Sequence, residues 1–141
     1  MIPTLKLGLL GGFLASLGMA SVVRLPDALC LTIAKLMGAT GMTLIIVGML
    51  FHLTTGLTVG GIFGLALMKL RRSSMQSSLT LGLLAGVIVW AGFFSPLSVE
   101  LTPANVSFNF MITGLLSHFV FGLVMGGTVA GLPSVKLGKL P

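Results

Sequence analysis

Four long runs of this chain carry no acidic or basic side chain: residues 7–23, 41–68, 73–99 and 101–135. A helix that crosses a bilayer needs about 20 largely apolar residues, because lipid offers its backbone no hydrogen-bonding partner. Each run is long enough, with a linker inside the last. Only 7% of residues are charged and the mean hydropathy is +1.16, whereas soluble chains carry roughly 25% charge. The expected fold is all-α: a polytopic membrane protein forming a single membrane domain over residues 1–141. Its four transmembrane helices fall at about 5–23, 42–69, 79–94 and 107–131.

Between the first two spans, residues 25–38 predict a short amphipathic helix lying in the interface. Pro26 and Asp27 suit its first turn. Leu25, Leu29, Ile33 and Leu36 form its apolar side, with Asp27 and Lys35 pointing away; a re-entrant segment is the alternative. The residues around 73–78 predict a turn, and those around 95–106, broken by Pro96 and Pro103, a linker on the opposite side. Trp90 is expected near that interface, where tryptophan prefers to sit.

The net charge of +6 is unevenly spread. If the helices alternate, Lys6, Lys69, Arg71, Arg72, Lys136 and Lys139 share one side, while Arg24, Asp27, Lys35 and Glu100 sum to zero on the other. Basic residues in short loops stay cytoplasmic. The expected location is therefore the cell membrane, multi-pass, with both termini cytoplasmic and the basic residues touching anionic lipid headgroups. No nucleic-acid partner is expected, because such proteins concentrate charge on a binding face. Lys6, the apolar stretch and Gly18-Met19-Ala20 imitate a signal peptide, but are better read as the first span. The single cysteine, Cys30, excludes an internal disulfide, and no cluster in the sequence suggests a metal site.

Two stretches 66 residues apart say nearly the same thing. One runs from Gly48 through His52 to Gly60-Gly61, the other from Gly114 through His118 to Gly126-Gly127. In both, glycine stands four before the histidine, four and eight after it, and again at nine. Steps of four advance about 40° around a helix, so Gly48, His52, Gly56 and Gly60 form one curling ridge, as do Gly114, His118, Gly122 and Gly126. The helices before them carry Gly8 and Gly12, and Gly82 and Gly86, at the small-xxx-small spacing that lets helices approach closely. Leu7-Gly8-Leu9-Leu10 also resembles Leu81-Gly82-Leu83-Leu84, at an offset of 74. The chain therefore reads as two similar two-helix repeats, about 5–69 and 79–132, related by an axis along the membrane normal. His52 and His118 would then sit at equal depth.

These ten glycines are the candidate packing residues, each histidine bonding a carbonyl or hydroxyl of a neighbouring helix. The sharper alternative for His52 and His118 is axial ligation of a haem b, with Gly48, Gly56, Gly114 and Gly122 clearing room for the porphyrin. Against it, no arginine stands at mid-depth to meet propionates, so no cofactor is predicted. Copper is weaker still. Met49, Met111 and Met125 lie near the histidines in sequence, but methionines in apolar chains are commonly packing filler. Ser117 adjoins His118 without an acid to complete a relay. The glycines at 8, 11 and 12 lack the Lys-Ser/Thr of a phosphate loop. No catalytic constellation is present. Asn105-Val106-Ser107 fits the glycosylation pattern, but lies against the last span.

A glycine-rich first helix, an interfacial helix and a late His-x-x-x-Gly helix, here His118 to Gly122, resemble a loose group of small four-helix membrane proteins that includes YagU-like and haloarchaeal examples. That resemblance implies the fold and carries no activity. The expected function is that of a small non-catalytic subunit of a larger, energy-transducing membrane complex, with other integral membrane subunits and lipids as partners. Four helices are not expected to bury so many glycine faces among themselves, which leaves a ladder for another protein or a lipid. The alternatives are a haem b electron-transfer protein and a small channel or transporter.

Overall fold

A computed structural model describes residues 2–23, 25–70 and 74–131. Arg24, Arg71, Arg72, Lys136 and Lys139, which the charge argument used, lie outside them. The described residues are helical with no strand, and four helices are long and apolar enough to cross a membrane.

Helix α1 spans Ile2–Gly18 and continues as a 3₁₀ turn over Met19–Ser21. The short α2 spans Ala28–Leu36, and α3 spans Gly41–Leu70. At 30 residues α3 is roughly 45 Å long, more than a bilayer core requires. Helix α4 covers Met75–Val89, a π-helical segment covers Trp90–Phe94, and α5 covers Ser95–Leu101. Helix α6 covers Phe108–Gly131. Lys6 and Lys69 are exposed near one end of the bundle, while Asp27, Lys35 and Glu100 belong to the other.

Two boundaries differ from the sequence reading. The expected turn around 73–78 is already helix from Met75, because the Ser74 hydroxyl caps it by accepting the Ser77 N–H at 3.1 Å. The third span also runs through Pro96 to Leu101 rather than stopping at 94. A proline cannot donate to the residue four before it and crowds that carbonyl. The π segment immediately preceding it widens the helix there, so the chain continues instead of breaking. Trp90 opens that segment, about 16 Å before the helix ends, with its indole N–H buried and without a partner among the described residues.

The glycine ladders hold the helices in two antiparallel pairs. In the α1–α3 pair, a Cβ built on Gly12 would strike the Gly56 carbonyl, and one on Gly8 the Gly60 carbonyl. In the α4–α6 pair, Gly82 meets the Gly122 carbonyl and Gly86 the His118 carbonyl. Each such glycine therefore turns a Cα hydrogen onto a carbonyl of the facing helix, a contact worth about 0.5–1 kcal/mol. Matched by contact, Gly12 corresponds to Gly82, an offset of 70. The Leu-Gly-Leu-Leu strings match at 74, one helical turn away. All ten candidate packing glycines are buried or blocked by the chain's own atoms. The expectation that a ladder faces a partner thus fails, because eight of the ten meet the backbone of a closely crossing helix, and Pro26 and Phe94 cover Gly48 and Gly114.

The pairs join through α1 and α6, where Gly11 lies against the Met125 backbone and Gly18 against Val124. Ala15, Met19, Phe63, Leu67, Phe121 and Met125 form the core between them. A twofold relation between halves would make α3 meet α4 as α1 meets α6. Instead α3 and α4 scarcely touch. They leave an apolar seam of about 300 Å³, walled by Ile62, Ala66 and Leu70 on one side and Leu81, Ala85 and Val89 on the other.

Helix α2 packs on α3 and touches α5. Asp27 is its N-cap, accepting the Cys30 N–H at 2.8 Å. Gly38 at φ +84° ends it, with the Ala39 N–H donating back to Ala34. The buried face is Leu29, Cys30 and Ala34, and Leu36 is 71% exposed. The expected apolar side is thus rotated, which turns Asp27 inward.

Candidate functional site

Where α2 covers the bundle, a cavity of about 50 Å³ lies between α1, α2, α3, α6 and the π segment. Both histidines line it, as do Ser16, Met19, Asp27 and Cys30. His52 and His118 are 8% and 5% exposed. Ionisable groups at such depth are costly in a membrane and by default mark function.

The two rings are held in opposite senses. His52 Nε2 lies 3.2 Å from the Ser16 carbonyl of α1. A carbonyl only accepts, so Nε2 is the donor, and in the neutral tautomer that this selects, Nδ1 offers a lone pair. That Nδ1 faces the Cys30 sulfur at 3.8 Å. His118 instead donates from Nδ1 to the Gly114 carbonyl of its own helix at 2.7 Å, which leaves Nε2 bare. Its ring leans on Phe94, centroids 5.0 Å apart, and Phe94 stacks in turn on Phe110 at 5.7 Å. The expected cross-helix bond is therefore made by His52 and not by His118.

These surroundings do not fit a porphyrin. The space beside Gly48 is filled by Pro26, beside Gly56 by Ser16, beside Gly114 by the Phe94 ring and beside Gly122 by Gly82 and Leu83. His52 Nε2 is engaged, and the shared cavity is far below the roughly 300–1,000 Å³ of an organic ligand pocket. Met49, Met111 and Met125 do not line it; the methionine that does is Met19.

The sequence reading missed Asp27, Cys30 and Ser16. The Asp27 carboxylate, the Cys30 sulfur and a His52 nitrogen lie within 4.8 Å of one another, a grouping that the expected absence of a metal cluster did not foresee. Burial pushes the Cys30 thiol well above its usual range, and the neighbouring Asp27 adds to this, so the thiol keeps its proton. Ser16 is 1% exposed and its hydroxyl has no hydrogen-bond partner among the described residues. The available signal is the three-residue spacing of Asp27 and Cys30 about an N-cap, which puts both on the side of α2 that meets α3. No family model, curated protein or solved structure matches this chain.

Proposed function

We infer that this protein is a small non-catalytic membrane subunit whose seam between α3 and α4 receives a transmembrane helix of a partner. The observation that carries this reading is the open seam itself, on the one side of the bundle where the pairing of helices is not repeated. Its walls favour a helix over an acyl chain. Ile62, Ala66 and Leu70, and Leu81, Ala85 and Val89, each read large-small-large at four-residue spacing. Rows of that kind accept the ridge of a third helix, the alanines making room for its larger side chains. Among the described residues, no polar side chain that a headgroup could use lines the seam. The partner helix is accordingly apolar, with bulky residues on its docking face, and the basic end of the bundle is taken as cytoplasmic.

Site-specific photo-crosslinking in native membranes tests this. A photoreactive residue at Ile62 or Leu84 is expected to yield one discrete protein adduct, and one at the exposed Leu50, outside the seam, none. Ala85→Trp should fill the seam and reduce that adduct at least about tenfold, while the isolated chain stays folded. Adducts to lipid or to a second copy alone, with the native mass of a monomer or homodimer, would overturn the reading.

A further inference from the structure

We propose that Asp27, Cys30 and His52 form a binding site for a zinc-like divalent cation that ties α2 to α3, whatever occupies the seam.

The donor set and its spacing carry the argument. Zinc bonds sulfur at about 2.3 Å and imidazole nitrogen at about 2.0–2.1 Å, so two such donors at a tetrahedral angle stand about 3.6 Å apart. The Cys30 sulfur and His52 Nδ1 stand 3.8 Å apart, and a carboxylate oxygen of Asp27 completes a trio within 4.8 Å. A tetrahedral set holds its donors about 3.3–3.6 Å apart, so side-chain movements of up to about 1.5 Å close the triangle. Sulfur, nitrogen and oxygen together make a borderline set, suited to zinc rather than to magnesium or calcium.

The surroundings are those of a ligand shell. A metal-binding histidine characteristically donates its other ring N–H to a carbonyl or carboxylate, which fixes the ring and the tautomer. His52 does so to Ser16 from α1, across the helix interface. Asp27 is aimed by the Cys30 N–H, because the same turn that starts α2 brings carboxylate and thiol together. An independent sign is Ser16. Its hydroxyl is buried, without a partner among the described residues and on the wall of the same cavity, an arrangement that is costly unless something hydrogen-bonds to it. Water in the fourth coordination position is such a partner. At about 50 Å³ the cavity has room for an ion together with its water. Binding replaces the thiol's hydrogen with the cation: the S–H bond breaks, the metal–sulfur bond forms, and one proton leaves to water.

Cys30 is the chain's only cysteine, which gives a readout in the unaltered protein. Untagged protein in detergent or nanodiscs is titrated with Co²⁺, then with Zn²⁺ in competition. The expected result is a thiolate-to-cobalt charge-transfer band and tetrahedral d–d absorption that saturate at one ion per chain and vanish as Zn²⁺ displaces it. Asp27→Asn and His52→Ala are expected to weaken Zn²⁺ binding about a hundredfold or more, and Ser16→Ala about tenfold, while Leu50→Ala, exposed and outside the cavity, leaves it within about threefold. Absence of the band from wild-type protein overturns the proposal even if a variant fails to fold. So does saturation at one ion per two chains, or affinity unchanged in both Asp27→Asn and His52→Ala when their helix content is normal.

Discussion

Gly60→Ala and Gly126→Ala are each expected to destabilise the fold by about 2–3 kcal/mol, while Gly61→Ala and Gly127→Ala, one residue further on, change it by less than about 1 kcal/mol. The four glycines are two identical-looking Gly-Gly pairs. A Cβ on Gly60 would lie 2.7 Å from the Gly12 Cα, and one on Gly126 would lie 2.6 Å from the Ser78 carbonyl. Those obstacles are backbone, so whole helices must separate. At Gly61 the nearest atom is the tip of Leu9 at 3.2 Å, and at Gly127 the tip of Leu79 at 3.9 Å. A flexible side chain yields there, and the better helix propensity of alanine, about 1 kcal/mol over glycine, offsets what remains. Equilibrium unfolding by steric trapping or in mixed micelles reads the difference. Equal losses at both members of a pair would contradict the observed helix register.

Met125→Ala is expected to cost about 2–3 kcal/mol by the same measurement, and Met42→Ala less than about 0.5 kcal/mol. Met125 is fully buried at the centre of the core, whereas Met42 is 71% exposed. In a membrane the unfolded reference is itself apolar, so little of this cost comes from transfer out of water. It comes from the dispersion attraction that the cavity walls forfeit when no side chain fills the space between them. The substitution should leave cobalt absorption unchanged, since Met125 does not line the histidine cavity. A Met125→Ala variant with native stability but altered metal binding would reverse these roles and revive a thioether site.

Much of the fold is legible in the sequence, for a simple reason. Length and apolarity suffice to define a spanning helix, because lipid forbids the alternatives, and all four spans appear as helices. The ladders are equally legible, since four-residue spacing places glycines on one ridge of any helix. Their use is not. Whether a bare ridge meets its own chain or another depends on how closely particular helices cross, and Gly12 on Gly56 or Gly82 on Gly122 follows only from three-dimensional register. The end of the third span is hidden because Pro96 signals a break, while a π segment just before it absorbs the strain.

The site divides in the same way. His52 and His118 stand out as lone polar groups in apolar runs, and both do line one cavity. Asp27 and Cys30 stand 22 or more residues from His52 in sequence, on a helix whose buried face is rotated a fraction of a turn from its most apolar stripe. Their meeting depends on where α2 lands on α3, which no local pattern encodes.

By itself the sequence determined that this chain is helical, spans a membrane four times and carries two glycine–histidine ridges, since each follows from composition and periodicity along one helix. Only the tertiary structure decided that the ridges are consumed within the chain, that α3 and α4 part to leave a seam, and that an acid, a thiol and an imidazole converge beneath α2. Those are relations between helices, fixed by packing of surfaces far apart in sequence.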